Sequence, residues 1–194
     1  MKQSICKRGF LRVIESIEKY KKLLNEATNN NGDWKSPYED LMRELYKLPV
    51  IFFALSRDNY DETNKKSTPL ISTKDFNGTP ALYVFSDVDL ASKWMIGYRH
   101  TTDDLKYGLI GAINKEPHDF LYVFQMARAL GAQKIMLDEG GDWVGIDINY
   151  FMEVNSISTK QVSMLLTEEQ AKEVIADNKP PTVRFFPISL IPLK

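Results

Sequence analysis

The densest group of chemically capable side chains is Asp138-Glu139-Gly140-Gly141-Asp142-Trp143, with Asp147 close behind. Carboxylates around a Gly-Gly turn could hold a hard cation through oxygen ligands. The calcium loop of an EF-hand, however, sets its acids at alternate positions before a distant Glu, and residues 138, 139, 142 and 147 do not follow that pattern. A tight strand connection asks for the same residues: glycine for positive φ and acids for solubility. A binding role would fall to Asp138, Asp142 and Trp143, the last because a large aromatic beside a solvent-facing turn can anchor a partner. The two histidines are His100, next to Thr101, Thr102, Asp103 and Asp104, and His118, after Pro117. Either could act as a general base if a carboxylate oriented it and a nucleophile lay near. No serine stands in a G-x-S-x-G elbow, and Cys6 is remote in sequence from both. No catalytic set is therefore assigned; His100 joins the candidate binding residues.

The remaining counts narrow the classes. One cysteine cannot form an internal disulfide, and two histidines cannot supply a three-histidine zinc site. There is no C-x-x-C, H-E-x-x-H, G-x-G-x-x-G or G-x-x-x-x-G-K-[ST], so no metal or cofactor is expected. A net charge of −1, with 25 Lys plus Arg against 26 Asp plus Glu, argues against a nucleic-acid partner. No apolar run approaches the roughly 20 residues of a membrane span. Charge recurs in Lys2, Lys7 and Arg8 before a signal-like apolar stretch can develop, so the expected location is the cytoplasm.

The elements that must position these residues are legible in outline. About residues 4 to 27 form an amphipathic helix in which Phe10, Val13, Ile17, Tyr20 and Leu24 are spaced 3, 4, 3, 4 like a coiled-coil seam, widened by Leu11, Ile14 and Leu23. Residues 1 to 22 carry seven Lys or Arg against Glu15 and Glu18. That face could dock on the chain's own core, on a second copy or protein partner, or on a membrane surface. Thr28 to Asp33 reads as a linker. Ser36, Pro37 and Glu39 then have the spacing of a capping box, opening a helix lined by Leu41, Leu45 and Leu48.

Val50 to Leu55 is a buried strand, and residues 57 to 68 a polar loop. Two strands flank the hairpin signal Asn77-Gly78. Ser86 is expected to cap a helix with Leu90, Ala91, Trp94 and Met95 on its apolar side and Gly97 ending it. A strand from Leu105 to Ile113 follows, then a helix opened by Pro117 and closed at Gly131, a strand at 133–137, its return at 143–148 and a short helical turn at 149–154. The tail offers a strand at 161–166, a helix from Thr167, and a strand at 182–190 after Pro180-Pro181. Hairpins among interleaved helices predict an α+β fold. Its sheet is mixed and mostly antiparallel, flanked by helices, with the N-terminal amphipathic helix added. The expected organisation is a helix and linker at 1–31 and one domain at 32–194.

Thr79-Pro-Ala-Leu-Tyr-Val-Phe-Ser-Asp-Val-Asp-Leu-Ala-Ser-Lys-Trp94 resembles the strand and capped helix of the SseB-like ("enhanced serine sensitivity") bacterial family. The segments 124–131, 135–143 and 145–148 resemble that domain's following helix, strand and closing turn, so the likeness spans about residues 48–154. The resemblance implies a small α+β domain in bacterial cytoplasmic proteins with no established enzymatic activity, and it brings no site residues. Residues 155–194 would be an extension. The expected function is a non-enzymatic scaffold or protein-interaction module, with a second copy or another protein as partner, using Phe10, Val13, Ile17, Tyr20 and Leu24. The alternative is a small-ligand-binding or hydrolytic protein using the Asp138–Trp143 turn with His100.

Overall fold

Strands β1 (Val50–Ala54) and β3 (Ala81–Phe85) alternate the faces to which their side chains point, yet β3 is buried at all five positions. A strand apolar on both faces needs cover on both sides. The computed structural model supplies it, describing residues 2–61, 63, 67–73, 78–100, 109–114, 123–124, 127–128 and 130–157. The other elements are α1 (Lys2–Asn29), α2 (Lys35–Lys47), β2 (Ile71–Ser72), α3 (Val88–Gly97), β4 (Ile110–Asn114), β5 (Lys134–Leu137), β6 (Val144–Asp147) and α4 (Ile148–Val154).

Among the described residues the sheet has six strands in the order β4-β1-β3-β5-β6, with β2 also paired to β3. Only β3 and β5 run parallel; the other pairings are antiparallel. The fold is α+β with a mixed, mostly antiparallel sheet. His118, Asn77, the start of the helix at Pro117 and the three elements expected beyond residue 160 lie outside the described residues.

One face of the sheet packs Ile51, Phe53, Leu82, Val84, Ile135 and Leu137 against α1, α2 and α4, with Val123, Phe124 and Ala127 from a helical stretch. The other face packs Ala54, Tyr83, Phe85 and Met136 against Ala91, Trp94 and Met95 of α3. The strand period of two therefore sorts neighbouring residues into separate cores. Each Leu, Ile or Phe taken wholly out of water contributes about 1.5–3 kcal/mol. At Gly111 a side chain would stand 2.8 Å from the Phe53 ring, which lies across β4 at their paired position. The outer edge of β6 is closed by a side chain: the Tyr38 hydroxyl donates to Gly145 O at 2.9 Å and accepts from Asp147 N at 3.4 Å.

Helix α1 runs two residues into the expected linker. It ends at Asn29, and Gly32 N donates to Ala27 O at 2.8 Å with Asn31 in the left-handed region, so a tight turn joins α1 to α2. The seam of α1 lies on the chain's own core: Ile17 is fully buried, and Phe10, Val13, Ile14, Tyr20 and Leu24 pack around it. Leu11 and Leu23, expected to widen the seam, face solvent.

Two caps differ from expectation by a few residues. Helix α2 begins at Lys35, and Asp33, not Ser36, serves its first turn. The Asp33 carboxylate accepts from Lys35 N at 3.0 Å and from the Ser36 hydroxyl at 2.7 Å. These bonds hold the Asp33 carboxyl below the usual carboxylate range. For α3 the cap is Asp87, which accepts from Asp89 N, because Ser86 is engaged elsewhere.

Candidate functional site

Strands β3 and β5 are parallel neighbours, so the residues that follow them, Ser86 and Asp138, emerge side by side. Asp138 N continues the ladder to Val84 O at 2.8 Å, and Asp138 then takes φ +57°, a left-handed conformation that Asp tolerates better than most residues. Its carboxylate turns inward and is fully buried. There it accepts from Ser86 N at 2.7 Å, from Ser86 Oγ at 2.8 Å and from Lys21 Nζ at 3.3 Å. Lys21 is itself 2% exposed and also donates to Glu18 at 2.8 Å. Burial pushes the Asp138 carboxyl up, against the pull of Lys21 and the Ser86 donors. This residue, expected to meet a ligand, instead ties α1 to the ends of both parallel strands.

Glu139, the next residue, bonds to the opposite side of the turn. It accepts a hydrogen bond from the hydroxyl of Tyr98, which caps the C-terminal end of α3. Here a cleft of about 450 Å³ opens between α3, the sheet and the β2 segment Leu70–Thr73. Its walls include Tyr83 from β3, Trp94 and Tyr98 from the α3 end, His100 just beyond, and Glu139.

Trp94 is the hub, with ring centroids of Tyr83, Tyr98 and His100 at 5.3, 5.2 and 5.2 Å. Spacings of this order are those at which aromatic rings attract one another. Trp94 and Tyr98 are one helical turn apart, which sets both rings on one side of the α3 terminus. Trp94 is 6% exposed, whereas Tyr98 is 61% exposed at the cleft mouth.

His100 is held from three directions. Its backbone N donates to Met95 O at 2.9 Å, its carbonyl accepts from Leu109 N at 3.1 Å, and its ring Nε2 lies 2.7 Å from Leu55 O. A carbonyl can only accept, so Nε2 carries the proton and Nδ1 is the acceptor nitrogen of a neutral ring. Burial lowers the affinity of this ring for a second proton, with Arg57 adding to the effect against the Leu55 bond. His100 will therefore remain the neutral Nε2–H tautomer at pH 7 and protonate below its ordinary value of about 6.5. A depressed pKa contributes stability that is present above about pH 6.5 and lost as pH falls through the lowered value. A nitrogen-detected titration of the two histidines checks this; a His100 ring already cationic at pH 7 would refute it.

The residues singled out in the sequence are thus divided. His100 and the 138–143 turn do meet, but through Glu139. Asp142 and Trp143 are exposed, the latter by 48%, and neither lines the cleft. Sequence reasoning passed over Lys21, Tyr83, Trp94 and Tyr98 as site residues; the one available signal was the aromatic pair four residues apart at the end of α3. Among the described residues no group of three or more His, Cys, Asp or Glu is placed to hold a metal ion. Among them also, no helix is long and apolar enough to cross a membrane. No family model, no curated protein and no solved structure matches this chain.

Proposed function

We propose that the protein is a binding module whose ligand sits in the cleft between α3, β2 and the β5–β6 turn. The observation that carries this reading is the gathering of Tyr83, Tyr98 and His100 around Trp94, with Glu139 in the same wall. Small-molecule sites are concave, mostly apolar and provided with a few placed polar groups, in volumes of roughly 300–1,000 Å³. Two polar side chains of the wall already serve as fixtures: His100 holds Leu55 O, and Tyr98 holds Glu139. That favours recognition over turnover. An SseB-like kinship and a bacterial cytoplasmic setting belong to the same proposal, supported by the residues of the 79–94 segment.

A scaffold role is the second reading, favoured by large exposed side chains around α3 and its neighbouring turn, Ile96 at 62% and Trp143 at 48%. One screen separates the two. Mixtures of small metabolites are tested for thermal stabilisation of the wild-type protein and of Tyr98→Ala, a change at an exposed site. A ligand present at 100 times its Kd stabilises by about 2.7 kcal/mol. At least one compound should stabilise the wild type and fail on the variant. A silent screen, together with self-association or partner capture that Ile96→Lys and Trp143→Lys abolish, would replace the cleft reading with the scaffold.

A further inference from the structure

We propose that the ligand of this cleft carries a neutral carbonyl oxygen, that of a carboxamide, and that Trp94 Nε1–H donates to it; the inference rests on the cleft being a binding site. The indole nitrogen is buried and has no hydrogen-bond partner among the described residues. Such donors are uncommon in folded proteins, because the hydration lost on burial goes unrepaid. The edge of the indole that holds the nitrogen faces the β5–β6 turn: a side chain on Gly140 would stand 3.8 Å from Trp94 Cδ1, the atom bonded to Nε1. Glu139, which precedes Gly140, and Trp94 itself are both in the cleft wall. The ligand therefore needs to meet one atom at the ring edge, while the ring faces stay packed in the core.

The surroundings of the nitrogen select the acceptor. The rings of Tyr83 and Phe85, 4% and 0% exposed, lie against the indole. One neutral donor in such a setting does not repay the desolvation of a carboxylate, whereas a neutral carbonyl has far less hydration to lose. A hydrocarbon would leave the donor unpaired. Acceptors for an amide N–H stand in the same wall, the Thr73 hydroxyl and Nδ1 of His100. Of the rings around Trp94, Tyr98 is the one mostly exposed, and its rotation is the movement that opens the nitrogen to the cleft.

Pivalamide and pivalate, alike in shape and different in charge, test both halves of the proposal. Each is titrated into the full chain while the three indole N–H signals are followed, with Trp34 and Trp143 as controls at exposed sites. Pivalamide should move the Trp94 signal downfield, leave the other two in place and bind about tenfold more tightly than pivalate. Trp94→Phe, which keeps a ring in the core and removes the donor, should weaken pivalamide about fivefold. If that variant does not fold, the Trp94 signal of the wild type decides the matter. Pivalamide that binds and shifts the Tyr98 ring without moving the Trp94 N–H would overturn the donor assignment while the cleft remained a site. Equal or tighter binding of pivalate would overturn the neutral class. If neither compound binds, the proposal falls, and the metabolite screen decides separately whether the cleft binds anything.

Discussion

Lys21→Met will destabilise the protein by about 3–5 kcal/mol, because it leaves the Asp138 carboxylate buried without its cation. The side chains of the pair are 3% and 0% exposed, so water cannot replace the missing partner. Such a loss is a large part of the 5–15 kcal/mol by which a domain is usually stable. Urea midpoints at constant m-value measure it. Two controls isolate the cause. Glu18→Gln alters the other partner of Lys21, whose side chain is 47% exposed, and should cost at most about 1 kcal/mol. Lys21→Met combined with Asp138→Asn removes the charge altogether and should recover at least half of the deficit.

The pH dependence follows from the same burial. Without Lys21 the Asp138 carboxyl, already raised, rises further. A raised folded-state pKa contributes stability below the unfolded value and loses it as pH climbs through the folded value. The Lys21→Met deficit should thus be largest near neutrality and shrink as the pH approaches about 4. A loss below about 1 kcal/mol at pH 7, as for an exposed ion pair, would mean that Lys21 reaches solvent and that α1 is not tied to the turn.

Trp94→Ala is the second change with a large expected effect, also about 3–5 kcal/mol. The indole fills the core between α3 and the sheet, touching Phe85 as well as Tyr83, with ring centroids 5.4 and 5.3 Å away. Its removal opens a cavity among its four aromatic neighbours, Tyr83, Phe85, Tyr98 and His100, and takes away one wall of the cleft. Trp143→Ala, at a side chain 48% exposed, should stay within about 0.5 kcal/mol of wild type. Comparable losses from the two tryptophans would contradict the assignment of Trp94 to the core and of Trp143 to the surface. The contrast is instructive because the sequence drew attention to Trp143, a tryptophan beside an acidic turn, and treated Trp94 as one apolar residue of a helix.

Much of the frame was open to local reading. Short continuous apolar runs marked β1 and β3, the Asn77-Gly78 signal anticipated the antiparallel β2–β3 pair, and Gly131, at φ +92°, sits where a helix was expected to end. Caps were legible only to within a few residues. Ser36 and Glu39 have capping-box spacing, yet the Asp33 carboxylate reaches the same first turn, and a charged acceptor makes the stronger bond. Ser86 has the right type for a cap and was displaced from it by Asp138, a residue 52 positions away.

The heptad seam of α1 shows the same division. Its spacing correctly implied a buried face, but spacing cannot say what buries it. The partner is the chain's own core, with α2 its main neighbour, which leaves Leu11 and Leu23 on the exposed side.

By itself the sequence determined the α+β class, the order of most elements and the apolar faces, because helix and strand periods are properties of neighbouring residues. Only the tertiary structure decided which polar residues became structural and which line a site. Lys21 and Asp138 stand 117 positions apart, and no local pattern pairs them. One left-handed residue at the end of β5 sends Asp138 to α1 and Glu139 to Tyr98, and so places the acid of the cleft one position from where composition pointed. Burial in a folded core, rather than residue type, separates a buried tie from a binding group.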